Sequence, residues 1–287
     1  MAQDPEEHTT SVDDVLIDKD GRIQCMVVMS DGENFHSIVA EIADISVRKA
    51  GGRANKLYRG DFWLTAMART SSGAFLLTDS TGRVHTNLSG AWAIENVSPG
   101  HGLRCLWVSP EERIYCGGTD GIVYERVSGG WVAISPSLGN WLTAITGQDH
   151  SDLLAVGDNG LVARFDGASW TGVDLGTNVN FNATLLDTAG DYLICGTRGT
   201  LFRGRGDAWV DISSGETNLF DLVTFANSVW VACGPGGVGR LTDSGIEIVK
   251  DTFAAFAVDA AGQFLAACGN NIVGRFDGEN WFGYRYQ

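Results

Sequence analysis

Short apolar runs separated by turn residues dominate the chain beyond residue 60. One stretch reads WLTAI (141–145), DLLAVG (152–157), LVARF (161–165) and SWTGVDL (169–175). Each run is rich in β-branched and aromatic residues and bounded by turn formers, so the four predict one antiparallel four-stranded unit. The turns between second and third strands are Thr81-Gly82, Asp120-Gly121, Asn159-Gly160, Arg198-Gly199, Gly236-Gly237 and Asn270-Asn271. Their composition predicts two-residue type I′ hairpins, which need positive φ at both central positions. The next turns, such as Asp166-Gly167 and Asp277-Gly278, follow the same logic, and no unit carries a convincing helix.

The unit repeats. Trp92, Trp131, Trp170 and Trp209 fall 39 residues apart, each ten after a turn glycine, and Trp281 lies ten after Asn271. Ile246 takes the tryptophan's place in its unit. A period near 40 residues with four strands per period is the pattern of a β-propeller, in which radial neighbours cover each other's faces. Six units are regular, at 60–97, 98–136, 137–176, 177–214, 215–249 and 250–287. Residues 11–47 read as a divergent first blade without the tryptophan. The expected fold is therefore all-β, a seven-bladed propeller of four-stranded antiparallel blades, with six blades as the alternative. Residues 1–10 are expected to be a disordered acidic N-terminus, and 48–59 a basic insertion carrying Arg48, Lys49, Arg53, Lys56 and Arg59. The recurring tryptophans are expected to wedge between blades, each offering ~150–250 Å² of contact when buried.

Composition narrows the function classes. The net charge is −15, which disfavours nucleic acid, whose binding relies on basic residues neutralising phosphates. The acidic balance would instead steer in a basic partner. Four of the six cysteines (Cys116, Cys195, Cys233, Cys268) precede a glycine at one place in the repeat, where Val156 and Leu77 stand in other units. That substitution pattern marks a small apolar slot, so the thiols are expected to be reduced and structural, as suits a cytoplasmic protein. The N-terminus lacks a signal-peptide pattern, and no apolar run reaches ~18 residues. No membrane association is expected.

The phrases GDNGLVARFDGASW, GTDGIVYERVSGGW and GTRGTLFRGRGDAW resemble the bacterial propellers grouped as WD40, YVTN or BNR-like repeat proteins, over about residues 60–287. That resemblance implies the fold; the group includes scaffolds, assembly factors, lectins and hydrolases, so it does not choose a function. The sialidase Asp-box spacing is absent, as are the paired GH and WD dipeptides of eukaryotic repeats.

Candidate chemistry is sparse. The five histidines have no metal-ligand spacing, and no nucleophile elbow or phosphate loop appears. No catalytic residue, metal or cofactor is therefore expected. Asp61, Asp221 and Asp251 lie near first strands, where carboxylates across a central funnel could perform hydrolysis. Arg164, Arg203, Arg240 and Arg275 share a third-strand place and are expected to pair with carboxylates or carbonyls between blades. Aromatic, arginine and polar residues on the lead-ins and turns of one face make the best binding surface. The candidate partner-binding residues are Tyr58, Arg59, Trp63, Asp120, Asn140, Trp141, Asp158, Asn180 and Arg198. The expected function is non-enzymatic engagement of a protein partner, for instance a bacterial immunity protein capping a basic toxin domain, or an assembly factor. A glycan-binding lectin or glycoside-cleaving enzyme is the competing reading.

Overall fold

A computed structural model describes residues 9–43, 45 and 54–286 of the chain. It consists of seven antiparallel sheets of four strands, each built from consecutive strands. These are blades 1 to 7, spanning 9–60, 64–96, 103–133, 142–172, 181–211, 221–250 and 257–285. The first strand of each blade packs on the first strands of its two neighbours, and that of blade 1 packs on blade 7 as well as blade 2. The ring is thus closed, with first strands at the hub and fourth strands at the circumference.

Seven apolar clusters occupy the seams between blades. Trp92, Trp131, Trp170, Trp209 and Trp281 each pack on the cluster between their own blade and the preceding one, and Ile246 does so at the seam of blades 5 and 6. The indole N–H of Trp131 reaches back to Glu95 Oε2 at 2.8 Å, and that of Trp170 to the Ile134 carbonyl at 3.0 Å. Each wedge covers apolar surface that one sheet cannot bury alone. All six cysteines are free and buried among these strands. Burial pushes the thiols of Cys25 and Cys105 up to about 12 and that of Cys233 to about 11.

Four local expectations change. First, Thr9 and Thr10 of the expected disordered terminus belong to the opening strand Thr9–Ile17; its residues 1–8 lie outside the described residues. Second, Lys56, Tyr58 and Arg59 sit in Asn55–Gly60, the outer strand of blade 1, paired to Phe35–Ile42. They are therefore part of a blade; Arg48, Lys49 and Arg53 of the expected insertion lie outside the described residues. Third, only Asn159-Gly160 and Arg198-Gly199 place both turn residues at positive φ. At Thr81-Gly82 only the glycine does, because a β-branched residue resists that conformation. The Asp79 carboxylate closes this turn instead, accepting the N–H groups of Thr81 and Arg83. Fourth, Arg164, Arg203 and Arg240 pair with Asp152, Asp187 and Glu247 of their own blades. Arg275 alone of the four crosses a seam, donating to the Gly21 carbonyl at 3.0 Å.

Among the described residues, no sheet mixes strands from both ends of the chain. The seam of blades 7 and 1 is held by packing and by a few polar links. The Ile17 N–H donates to Asp259 Oδ2 at 2.7 Å, the Val12 N–H donates to the Asn270 carbonyl, and Arg275 reaches Gly21.

Candidate functional site

In an antiparallel four-stranded blade, the lead-in to the first strand and the turn between second and third strands lie at the same end. Trp63, Asn140, Trp141 and Asn180 are lead-in residues; Asp120, Asp158 and Arg198 are turn residues. The fold therefore gathers these seven candidates on one face, across blades 2 to 5. Tyr58 and Arg59 reach that end from the outer strand of blade 1.

Two of these residues present large aromatic surface. Trp63 is 38% exposed and stacks on Phe35 of blade 1, with ring centroids 4.8 Å apart and planes 10° apart. Trp141 is 47% exposed, and the guanidinium of Arg104 from blade 3 sits 5.1 Å from its ring centroid. Beside Trp141 a cleft of about 360 Å³ opens, lined also by Asp120, Asn140, Asp158 and Asn159. An amide chain fixes its lip. Asn159 Nδ2 donates to Asn140 Oδ1 at 3.1 Å, and the Asn159 N–H donates to Asn180 Oδ1 at 2.9 Å. At the neighbouring turn the Arg198 N–H donates to Asn218 Oδ1 at 2.8 Å. These bonds hold the loops in place before any ligand arrives, which lowers the ordering cost of binding.

Other candidates are engaged internally. Asp120 accepts from Ser98 Oγ at 2.5 Å, Tyr124 OH at 2.7 Å and the Ile122 N–H at 3.0 Å. Tyr58 lies against Trp92, with centroids 4.1 Å apart and planes tilted by 32°, and its hydroxyl lies 2.7 Å from His85 Nδ1. His85 Nε2 meets Asp79 Oδ2 at 2.8 Å, and both side chains are fully buried. Burial alone would raise the Asp79 carboxyl, but hydrogen bonds from His85, Thr81 and Arg83 outweigh it and hold the group well below the usual carboxylate range. This buried chain locks blade 1 to blade 2 and leaves Arg59 as the exposed member of its pair.

The funnel carboxylates divide. Asp61 is exposed and pairs with His36 Nδ1 at 2.7 Å, and Asp251 is exposed. Asp221 belongs instead to a hub trio with Asp14 and Asp259. Each of the three accepts a backbone N–H from the next blade's first strand: Asp221 from Val258, Asp259 from Ile17, Asp14 from Met67. Blades 2, 4 and 5 reverse the polarity, with Thr65, Thr143 and Asn182 donating to the carbonyls of Leu103, Phe181 and Leu219. Burial, then the charge of Asp221, pushes Asp14 up to about 8 despite the N–H groups of Met67 and Val15. Burial likewise takes Asp221 to about 7, against the N–H groups of Val258 and Leu222, with Asp259 adding to the rise. Asp259 goes to about 6, burial being opposed by the Ile17 and Ala260 N–H groups and the Arg69 charge. Asp14 and Asp259, like Phe35 and Arg104, are not among the residues that the sequence pattern marks. The available signal was an aspartate inside an apolar first strand, as in SVDDVLI and FAVDAA. Among the described residues, no group of three or more His, Cys, Asp or Glu side chains is placed to hold a metal ion.

No family model matches the chain, and no curated protein does so. Among solved structures it is similar to the crystal structure of the WD40 beta propeller domain of Doa1. The TM-score is 0.75 at 11% sequence identity, covering 96% of this chain and 95% of that one. At such identity the likeness is one of fold alone: this chain is a seven-bladed β-propeller of four-stranded antiparallel blades.

Proposed function

We propose that the protein is a non-enzymatic binding propeller that engages a basic protein partner through the face bearing Trp63 and Trp141. The observation that carries this reading is the pair of exposed indoles on that face, each already oriented by a neighbour, Phe35 or Arg104. Tryptophan and arginine dominate interface hot spots, and an oriented ring loses little entropy on docking. The fold's likeness to a WD40 propeller supports an interaction role, and the net charge of −15 favours a basic partner. The remaining rim groups are amides and turn-bound carboxylates, which suit recognition better than proton transfer. A neutralising protein that caps a basic toxin domain is one concrete form of this reading; an assembly factor is another.

The test is affinity capture from a lysate of the source organism, comparing wild-type bait with Trp63→Ala/Trp141→Ala bait after salt washing. The reading expects a basic protein retained by wild type and lost at least tenfold by the variant, since two central aromatic anchors commonly contribute ≥ ~2 kcal/mol each. Equal recovery on both baits would remove this face from the account. Saturable, indole-dependent binding of a glycan with no captured protein would favour the lectin reading.

A further inference from the structure

Grooves open at two adjacent seams of the ring, one of about 460 Å³ between blades 5 and 6 and the other between blades 4 and 5. Where Trp131 and Trp170 hydrogen-bond back across their seams, Trp209 donates its indole N–H to Gly206 of its own blade at 2.9 Å. At this seam, between the outer parts of blades 4 and 5, a groove of about 570 Å³ stands open. Its apolar lining comes from Val173, Leu175, Phe202 and Trp209, all part of the core cluster between these blades. Its rim carries Asp166, Asp174, Asp207 and Asp211.

None of these four carboxylates makes an ion pair among the described residues. The lining's one cation, Arg164, is directed to Asp152, 3.5 Å away. Backbone N–H groups of Ser169 and Ala168, with a smaller effect from the Arg164 charge, hold Asp166 below the usual carboxylate range, so it stays charged. The carboxylates do not converge as a metal site would require. Spread along an apolar floor, they match cations spaced along a chain.

We propose that the groove between blades 4 and 5 binds an extended basic segment of a partner protein, with apolar side chains on the Trp209 floor and lysine or arginine at the aspartate rim. This site is separate from the face bearing Trp63 and Trp141, so either can stand without the other.

The test uses a fluorescein-labelled peptide, Gly-Arg-Leu-Arg-Leu-Arg-Gly, titrated with the full chain by fluorescence anisotropy. Saturable binding is expected, weakening as salt rises from about 50 to about 200 mM. Asp207→Asn/Asp211→Asn should weaken it roughly tenfold, two rim charges at up to ~1 kcal/mol each. Asparagine at 211 can still accept the Ser213 N–H, so the variant should melt with wild type. Charge reversal by Asp207→Lys, at an exposed turn, serves as a second variant and should weaken binding further. Trp63→Ala/Trp141→Ala should leave the peptide affinity unchanged. The proposal is overturned by no saturable binding up to about 1 mM, by unchanged affinity in both groove variants, or by equal affinity for the glutamate version of the peptide. Displacement of the peptide by a neutral oligosaccharide would assign the groove to glycans and overturn it too.

Discussion

The hub carboxylates make a quantitative claim about pH. Asp14 has an ordinary carboxylate value in the unfolded chain, near 3.9, and about 8 in the fold. Between those values the folded state binds a proton that the unfolded state does not. Stability then falls as pH rises, by ~1.4 kcal/mol per pH unit for one such group, and the loss is complete above about pH 8. Asp221 and Asp259 add to the slope at lower pH, up to about 7 and about 6 respectively. Asp14→Asn removes the titration at one site. The amide oxygen can keep one of the two N–H groups now accepted from Val15 and Met67. The other is left facing an N–H₂, a pH-independent cost of ~1–3 kcal/mol. Urea unfolding followed by tryptophan fluorescence at pH 6, 7 and 8 separates slope from offset. The wild type should lose ~2–3 kcal/mol more than the variant between pH 6 and pH 8. Parallel pH dependence in the two proteins, or wild-type stability that climbs over this interval, would show that Asp14 does not hold its proton at the hub.

Three further outcomes follow from the packing. Trp170→Ala removes a wedge and its bond to Ile134 and should destabilise by ~3–5 kcal/mol in denaturant unfolding, as large core truncations do. Asp79→Ala strands buried His85 together with the Thr81 and Arg83 donors and should cost ~3–5 kcal/mol. Because the Asp79 carboxyl is held low, its contribution in the wild type is present above about pH 4 and lost as pH falls further. Gly160→Ala would force a side chain into φ +75°, with Cβ 2.1 Å from the Thr177 carbonyl oxygen. That should lower the melting temperature by several degrees, well beyond the ~1 kcal/mol ordinarily attached to a left-handed alanine.

Much of the ring is legible because its signals are local and periodic. The spacing of Trp92, Trp131, Trp170 and Trp209 marks the seams, since the same strand position meets the same neighbour in every blade. The exchange of Cys, Val and Leu before the turn glycine marks a buried slot for the same reason. The outer strand of blade 1 is harder to see: NKLYRG carries no tryptophan and follows a run of glycine and basic residues, so its pairing to Phe35–Ile42 leaves no local trace. The Thr81 turn misleads because it is closed by a side chain, Asp79, two residues upstream. The hub trio is hidden for a deeper reason. Asp14, Asp221 and Asp259 come together only when residues about 240 apart in the chain close the ring, a relation that no window of sequence contains. The candidate face lies between these extremes. Turn and lead-in residues are placed on one end by the blade topology, whereas the partners that orient them, Phe35 for Trp63 and Arg104 for Trp141, arrive from adjacent blades.

The face bearing Trp63 and Trp141 is the proposed docking site for a protein partner. Hydrogen exchange of the chain, alone and with the captured basic partner, tests it most directly. Slowed exchange is expected at the loops around 35–36, 61–64, 139–142 and 157–160, with the opposite end of the blades unchanged. Protection confined to that opposite end, or to the groove between blades 4 and 5, would contradict it.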